Sequence, residues 1–341
     1  MRLIRRAGRR TNLAIFATLI VAFGTGVLAY GVGAPWAARF ITIAHGAAGL
    51  ALLLLVPWKS IIVRRSTARG WGWVPGTALG VLVLVSITAG LIHVLTGNDV
   101  YLGVTALQVH VGAALIAVPL LTLHVLSHPQ RARRTDLSRR VVLRAGALGG
   151  AAVASWFLLA GATRLLDLPG ARRRSTGSFE EGSGTQEAMP VTQWFTDPVP
   201  RIDADSWRLS VGTRGRSRLM SYDELAAGTD QERAILDCTG GWYAEQEWRG
   251  MRLSSIIGEP PSTAKSIEVV SSTGYRRRFP IAEAPGLLLA THVAGEPLAA
   301  GHGAPARLVA PGRRGFWWVK WVTSVTVLDE PDWLQPPFPG Q

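Results

Sequence analysis

Five of the chain's seven histidines, His45, His93, His110, His124 and His128, lie in long apolar runs or at their edges. Imidazole is a ligand for haem iron, and ionisable groups within a bilayer are costly and usually have a task. His110 and His124 are 14 residues apart in one run. At roughly 100° and 1.5 Å per residue they share a helix face, about 21 Å apart along the axis. The bland alternative for each is a polar side chain hydrogen-bonded within a bundle. A different chemistry is open to Cys238, the only cysteine. It excludes an internal disulfide framework and leaves one thiol, for packing or for a soft metal.

The elements that must position these groups can be read from composition. The 341 residues are 48% hydrophobic and 17% charged, against about 25% charged in soluble chains. Apolar runs near 12–33, 39–58, 76–97, 102–127 and 141–162 each suffice to cross the hydrocarbon core as a helix. Arg2, Arg5, Arg6, Arg9 and Arg10 precede the first run. Lys59, Arg64, Arg65 and Arg69 separate the second from the third, and Arg131, Arg133, Arg134, Arg139, Arg140 and Arg144 surround the start of the fifth. The loops 34–38 and 98–101 hold no Lys or Arg. This positive-inside pattern predicts a cytoplasmic N-terminus. Much of the net charge of +13 is then a topology signal, and nucleic acid is not an expected partner.

In that topology His45 and His110 both lie slightly outside the midpoints of the second and fourth runs, which point the same way. Their rings can meet. His93 lies nearer the outer surface, His124 near the inner end and His128 at the boundary. Gly46, Gly49, Gly90 and Gly112 are nearby, where helices or a flat macrocycle approach closely or where helices simply pack. Residues 10–130 resemble the di-haem b-type cytochrome membrane subunits of respiratory oxidoreductases. The resemblance implies one outer haem b held by His45 and His110, with His93 able to replace either. A second haem on His124 lacks an inner partner histidine on any other run.

The fifth run carries the chain outward, although Arg172, Arg173 and Arg174 just beyond it oppose the charge rule. Residues 138–144, S-R-R-V-V-L-R, followed by a weakly hydrophobic stretch, resemble a twin-arginine translocation signal placed internally. Ser138, Arg139, Arg140, Val142, Leu143 and Arg144 fit the pattern, and the translocase is the implied partner in biogenesis. An ordinary cytoplasmic Arg cluster is the alternative. Ala160-Gly161-Ala162 has the small residues of a cleavage site, so retention of this run as an anchor stays open.

Residues 166–190 read as a flexible, Gly- and Ser-rich linker. From 191 onward short β-type runs, 207–211, 266–272, 306–310 and 322–328, alternate with Gly and Pro, and 221–227 and 251–257 look like short helices. The expected architecture is multidomain. It comprises a transmembrane all-α four-helix haem-binding bundle (1–130), a signal or anchor helix (131–165), the linker (166–190) and an α+β domain (191–341).

Several segments of that last domain carry a resemblance: D-A-D-S-W-R-L-S-V (203–211), L-D-C-T-G-G-W (236–242), W-R-G-M-R-L-S-S-I-I (248–257), S-S-T-G-Y-R-R-R-F-P-I (271–281) and H-G-A-P-A-R-L-V-A-P-G (302–312), ending in V-K-W (319–321). In order and spacing they resemble the molybdopterin-binding domain of the sulfite oxidase superfamily, over nearly all of 191–335. The resemblance implies that Cys238 is the thiolate ligand of molybdenum. It implies that His302, Arg307 and Lys320 hold the pterin and its phosphate, where an Arg fork and a Lys point charge suit the anion. Gly303 allows close backbone approach, Thr239 contacts the cofactor, and Tyr275 hydrogen-bonds an oxygen on the metal. Arg276, Arg277 and Arg278 attract an anion or form a solvated run. Trp242, Tyr243 and Trp248 wall the pocket or pack the core. Sulfite oxidases proper carry an Arg shortly after the metal-binding cysteine. Here Thr239-Gly240-Gly241-Trp242-Tyr243 follows instead, which leaves the substrate open.

The expected protein is a multi-pass cell-membrane enzyme with its C-terminal domain outside the cytoplasm. It transfers oxygen atoms to or from a small, sulfur-containing molecule and exchanges electrons through haem b with the quinone pool or another carrier, among membrane lipid. The rivals are a repair reductase for sulfoxides, a metal-free binding or sensing module, and a haem-free tether.

Overall fold

The computed structural model describes residues 8–67, 74–130, 133, 136, 138–192 and 198–336. Arg2, Arg5, Arg6, Arg69, Arg131 and Arg134 lie outside them. The chain divides into two compact units, Met1–Phe179 and Glu180–Gln341.

In the first unit the five apolar runs form α1 (Arg9–Gly31), α2 (Pro35–Thr67), α3 (Val74–Thr96), α4 (Ala106–Ser127) and α5 (Arg139–Leu165). All five are long and apolar enough to cross a membrane. Their surfaces are inside-out for a protein in water. Large side chains such as Ile20, Phe40, Leu115, Leu123 and Leu158 face outward, and small ones, Ala47, Ala51, Ala113, Ala117 and Ala152, are buried. That distribution suits helices packed through small residues in lipid. Contacts run mainly between α1 and α2, α3 and α4, and α2 and α5. Gly46 makes room for the last pair: a Cβ there would meet the Trp156 ring at 2.1 Å.

The fourth helix begins later than its apolar run. A hairpin of β1 (Val100–Tyr101) and β2 (Val104–Thr105) comes first. Thr105 then caps α4 by accepting from Gln108 N at 3.1 Å, while Gln108 Oε1 accepts from Thr105 N at 2.8 Å. This reciprocal box satisfies two orphan donors and sets the start.

The stretch read as a linker is divided between the units. Residues Pro169–Arg172 form a 3-10 turn, and Thr42 Oγ1 donates to Ser175 O at 2.7 Å. In the second unit, Gln246 Nε2 donates to Gly182 O and Thr185 O at 2.6 and 3.1 Å.

The second unit is a mixture of strands and short helices in two sheets. One contains β3 (Phe179–Glu180), β6 (Asp230–Asp237), β7 (Trp242–Arg252), β10 (Leu288–Val293), β11 (Glu296–Pro297) and β12 (Arg307–Val309). The other has the order β5 (Arg216–Ser221), β4 (Arg208–Thr213), β13 (Val322–Leu328), β8 (Ser266–Ser271), β9 (Arg276–Pro280). It is mixed, because β13 runs parallel to β4. The expected runs at 207–211, 266–272, 306–310 and 322–328 correspond to β4, β8, β12 and β13. The expected helices correspond to α6 (Tyr222–Ala226) and α7 (Leu253–Ile257). Along β7, Trp242, Ala244, Gln246, Trp248 and Gly250 point inward and the residues between them outward, the period of two of a half-buried strand. Trp248, Leu253, Phe279, Leu288 and Leu308 centre the core.

Candidate functional site

Strand β6 delivers Cys238 and β7 leads away from it. The strands pair from Asp230↔Gly250 to Asp237↔Tyr243, and Cys238 N donates to Trp242 O at 2.9 Å. The turn so closed contains half-buried Thr239, then Gly240 and Gly241. Gly241 has φ 94°, which L side chains adopt only with strain. Gly240 N–H donates to Cys238 Sγ at 3.3 Å. From the other side comes the 3-10 turn Gly315–Trp317. A Cβ on Gly315 would stand 3.0 Å from Cys238 Cα, so only glycine fits without displacing the cysteine. Burial pushes the Cys238 thiol up, against the opposing pull of the Gly240 N–H, Arg314, Lys320 and the Thr192 hydroxyl. These are the groups that favour thiolate once a metal replaces the proton.

A cationic shell assembles from three separate segments. His302 ends a 3-10 turn (Ala300–His302), Arg307 begins β12, and Lys320 precedes β13. Gly303, at φ 113°, lets them converge: a Cβ there would lie 3.1 Å from Arg307 Cβ and 3.2 Å from Lys320 Cβ. Arg307 is buried. Its Nη1 donates to His302 O at 3.0 Å, and its guanidinium lies 5.4 and 5.8 Å from the Trp248 and Trp318 ring centres. Its Nε is buried without a hydrogen-bond partner. Such a donor costs stability unless something accepts from it, and an anionic ligand is the natural acceptor. Lys320 Nζ donates to Gly301 O at 2.6 Å and Thr192 O at 3.0 Å.

Burial lowers all three cations, and like charges nearby add to the shift at Lys320 and His302. Burial, then Arg307, brings Lys320 down to about 7. Burial, then Arg307 and Lys320, brings His302 down to about 4. Burial brings Arg307 down to about 10, with the Cys238 sulfur pulling the other way. Each shift is what removing water from a cation produces, and added negative charge would reverse it.

The Tyr275 hydroxyl donates to Phe316 O, one residue from the glycine that abuts Cys238. The three arginines after it separate. Arg276 is exposed, Arg277 is buried with its guanidinium 4.2 Å from the Trp317 ring centre, and Arg278 Nε pairs with Glu268 at 2.8 Å. Trp248 is core, edge-on to Trp318 at 5.5 Å. Trp242 is buried and donates from Nε1 to Thr192 Oγ1 at 3.0 Å.

Sequence reasoning missed Arg314 and Thr192. Arg314 is buried, ion-pairs with Asp237 and donates from Nη2 to Cys238 O at 3.3 Å. Its position immediately before Gly315, in the same block as Lys320, was the available signal. Thr192 lies outside every quoted motif.

In the first unit, the His45 and His110 rings stand 5.6 Å apart at 84°. His45 Nδ1 lies 2.9 Å from Ala22 O, and His110 Nδ1 lies 2.7 Å from Ser86 O. A carbonyl only accepts, so each Nδ1 carries the proton and each Nε2 keeps its lone pair. Gly26 and Gly90 leave the rings space, since a Cβ would come within 3.1 and 3.0 Å of them. His93 and His124 make their ring contacts with other residues. His93 Nε2 lies 3.2 Å from Gly177 O and its ring meets Phe179 edge-on at 5.1 Å. His124 stacks on His128 at 4.9 Å.

Comparison with known proteins bears on the second unit. Residues 196–334 match the family model described as the oxidoreductase molybdopterin binding domain. Mitochondrial sulfite oxidase of Rattus norvegicus is 30% identical over 169 residues, 39% of this chain and 31% of that protein. The protein-methionine-sulfoxide reductase catalytic subunit MsrP of Xanthomonas axonopodis pv. citri (strain 306) is 30% identical over 160 residues, 40% of this chain and 50% of that protein. The chain thus spans between about a third and a half of the curated relatives it matches. The solved sulfane dehydrogenase SoxCD of Paracoccus pantotrophus aligns at 23% identity over 39% of this chain and 40% of that one, with a TM-score of 0.37, too slight a likeness to argue from. Residues 196–334 form a molybdopterin-binding oxidoreductase domain of the sulfite oxidase superfamily.

Proposed function

We propose that the chain is a membrane-anchored molybdenum oxidoreductase that transfers oxygen atoms to or from a small sulfur compound outside the cytoplasm. The observation that carries this reading is Cys238 Sγ, buried and accepting from Gly240 N–H, in electrostatic reach of Arg307 and Lys320. The donor set suits a molybdenum cofactor: one soft sulfur, an orphaned buried guanidinium nitrogen, and a glycine where a Cβ would crowd Arg307 and Lys320. When bound, that cofactor supplies two-electron oxygen-atom transfer.

The chain's own residues do the rest. Cys238 ligates the metal, held by the Gly240 and Gly315 backbone and by Arg314. Arg307 and Lys320 neutralise the pterin phosphate, and His302, neutral near pH 7, offers a hydrogen bond without a further charge. Thr239 and Gly303 would border the cofactor, and Tyr275, whose hydroxyl donates to Phe316 O, would line the substrate side of the site. Trp318 and Trp248 exclude water beneath Arg307.

In the helical unit, His45 and His110 would hold one haem b through Nε2, because their Nδ1 atoms face the carbonyls of Ala22 and Ser86. Haem b supplies one-electron transfer, linking the enzyme to the quinone pool or another carrier. His93, with Nε2 engaged, and His124, stacked on His128, are weaker ligands. The charge pattern supports a cytoplasmic N-terminus, and the S-R-R-V-V-L-R motif at 138–144 supports export through the twin-arginine translocase.

A reductase that repairs methionine sulfoxide is equally consistent, since the 30% identity to that enzyme's catalytic subunit equals the identity to sulfite oxidase. Purified full-length protein, matured in a host that makes molybdopterin, is the material for the test. Molybdenum and haem b near one per chain, with turnover on sulfite or a sulfoxide, support the proposal. Absence of molybdenum overturns it.

A further inference from the structure

The first unit holds a polar recess that the redox reading leaves unused. It has a volume of about 280 Å³ and is lined by Gly33, Pro35, Arg173, Arg174, Ser175 and Thr176. Four features give it the character of an anion site. Two adjacent arginines line it. Arg173 Nη1 is buried and has no hydrogen-bond partner. The hydroxyl-bearing Ser175 and Thr176 stand beside them. Pro35 begins the 33-residue helix α2, whose first amides carry the positive end of the helix dipole.

The recess is also built. Arg174 N donates to Ser178 O at 2.8 Å and Gly177 N to Arg174 O at 2.9 Å, with Gly177 at φ 90°. Thr42 Oγ1 fastens the turn to α2 through Ser175 O. The Arg173 guanidinium is braced over Trp156, 5.1 Å from the ring centre.

We propose that this recess binds the phosphate of an anionic lipid headgroup. A phosphate accepts from several donors at once, and the buried Arg173 Nη1 has no acceptor of its own. Lipid is favoured over a free anion by the surroundings. Trp36, in the first turn of α2, is 73% exposed, and tryptophan at the end of a span marks headgroup depth. Cationic pockets among transmembrane helices are suited to lipid phosphate. A bound anion also accounts for Arg173 and Arg174 after α5, at the end of the spans where the charge rule places no arginine. The inference rests on the membrane-spanning reading of the helices, which fractionation of the full-length chain tests separately: recovery in the soluble fraction would end that reading.

The test uses full-length protein in nanodiscs of phosphatidylcholine with or without phosphatidylglycerol. Phosphatidylglycerol should raise the melting temperature and co-purify after exchange into detergent. R173Q, and independently R174Q, should lower its retention by about tenfold, the loss that one charge-assisted bond implies. R173K should restore part of it, and R172Q should change little, because Arg172 pairs with Asp167 at 2.9 Å and does not line the recess. If R173Q fails to fold, R174Q and a S175A/T176A double variant carry the measurement. Equal stabilisation by inorganic phosphate in phosphatidylcholine discs would assign the recess to a free anion and overturn the lipid. Loss of haem from R173Q with lipid retention unchanged would also overturn it.

Discussion

Arg314 ion-pairs with Asp237 and donates at 3.3 Å to the carbonyl of Cys238. One buried guanidinium thus grips both the last residue of β6 and the proposed metal ligand after it. Breaking a buried pair leaves a charge without its counter-ion, at about 3–5 kcal/mol. R314A should therefore destabilise the second unit by that amount in chemical denaturation of the full-length chain, and should lower molybdenum content. The D237N/R314Q double variant should cost less than the sum of its parts. Strict additivity would show that the pair does not position Cys238.

Cys238→Ser keeps the shape and exchanges a soft ligand for a hard one. Molybdenum content and turnover should both fall to background, while the optical spectrum of haem b and the unfolding midpoint stay close to wild type. Metal retained at wild-type level would remove Cys238 from the ligand set.

Gly303→Ala tests the convergence of the cationic shell. Its φ of 113° is strained for an L side chain, by about 1–3 kcal/mol, and the new methyl would press on Arg307 and Lys320 at 3.1–3.2 Å. The melting temperature should fall and the cofactor should be lost. G295A is the control, because that glycine has φ 83° with open space around it and lies in a hairpin away from the shell. It should share the backbone cost but keep the cofactor.

How far the sequence revealed this site depends on whether neighbours along the chain are also neighbours in space. β4, β8, β12 and β13 are legible because short runs rich in Leu, Ile, Val and Thr stand between Gly and Pro. β7 is not, since its outward positions are Tyr243, Glu245, Glu247 and Arg249 and its inward ones include Gln246. Its strand character comes from pairing with β6 and β10. Cys238, Arg307 and Lys320 stand out by residue type and motif. Arg314 and Thr192 do not, because their roles exist only once the 3-10 turn at 315–317 and the segment before residue 193 fold against the Cys238 turn. In the helical unit the 14-residue spacing of His110 and His124 is legible, but not that His110 meets the ring of His45 on another helix while His124 stacks on His128 nearby in its own chain segment.

His302 should make the cofactor-free protein acid-sensitive. Its ordinary value near 6.5 falls to about 4 on folding, through burial and through Arg307 and Lys320, with Glu187 and a backbone contact at Gln186 opposing. The unfolded chain therefore binds the extra proton first. Between about pH 6.5 and pH 4 stability should decline as pH falls, flatten below that window, and be unaffected by this group above it. Thermal unfolding of full-length protein from a host without molybdopterin, followed by tryptophan fluorescence, should show that slope. H302Q should reduce it, and an unchanged slope in H302Q would assign it elsewhere.

The histidine pair makes the last prediction. A haem held by His45 and His110 needs both Nε2 atoms, and the hydrogen bonds to Ala22 O and Ser86 O free them by fixing the proton on Nδ1. His93 differs because its Nε2 is turned to Gly177 O. In reduced membranes H45A and H110A should each abolish the b-type absorption, whereas H93A should keep it. H124A should remove part of the signal only if a second haem is present. Ser86→Ala deletes a hydroxyl 3.1 Å from His110 Nδ1 without touching the carbonyl that orients the ring. It should shift the reduction potential, because partners around a metal ligand tune the metal, while leaving the haem bound. Full absorption in H45A would exclude this ligand pair, whatever the molybdenum content.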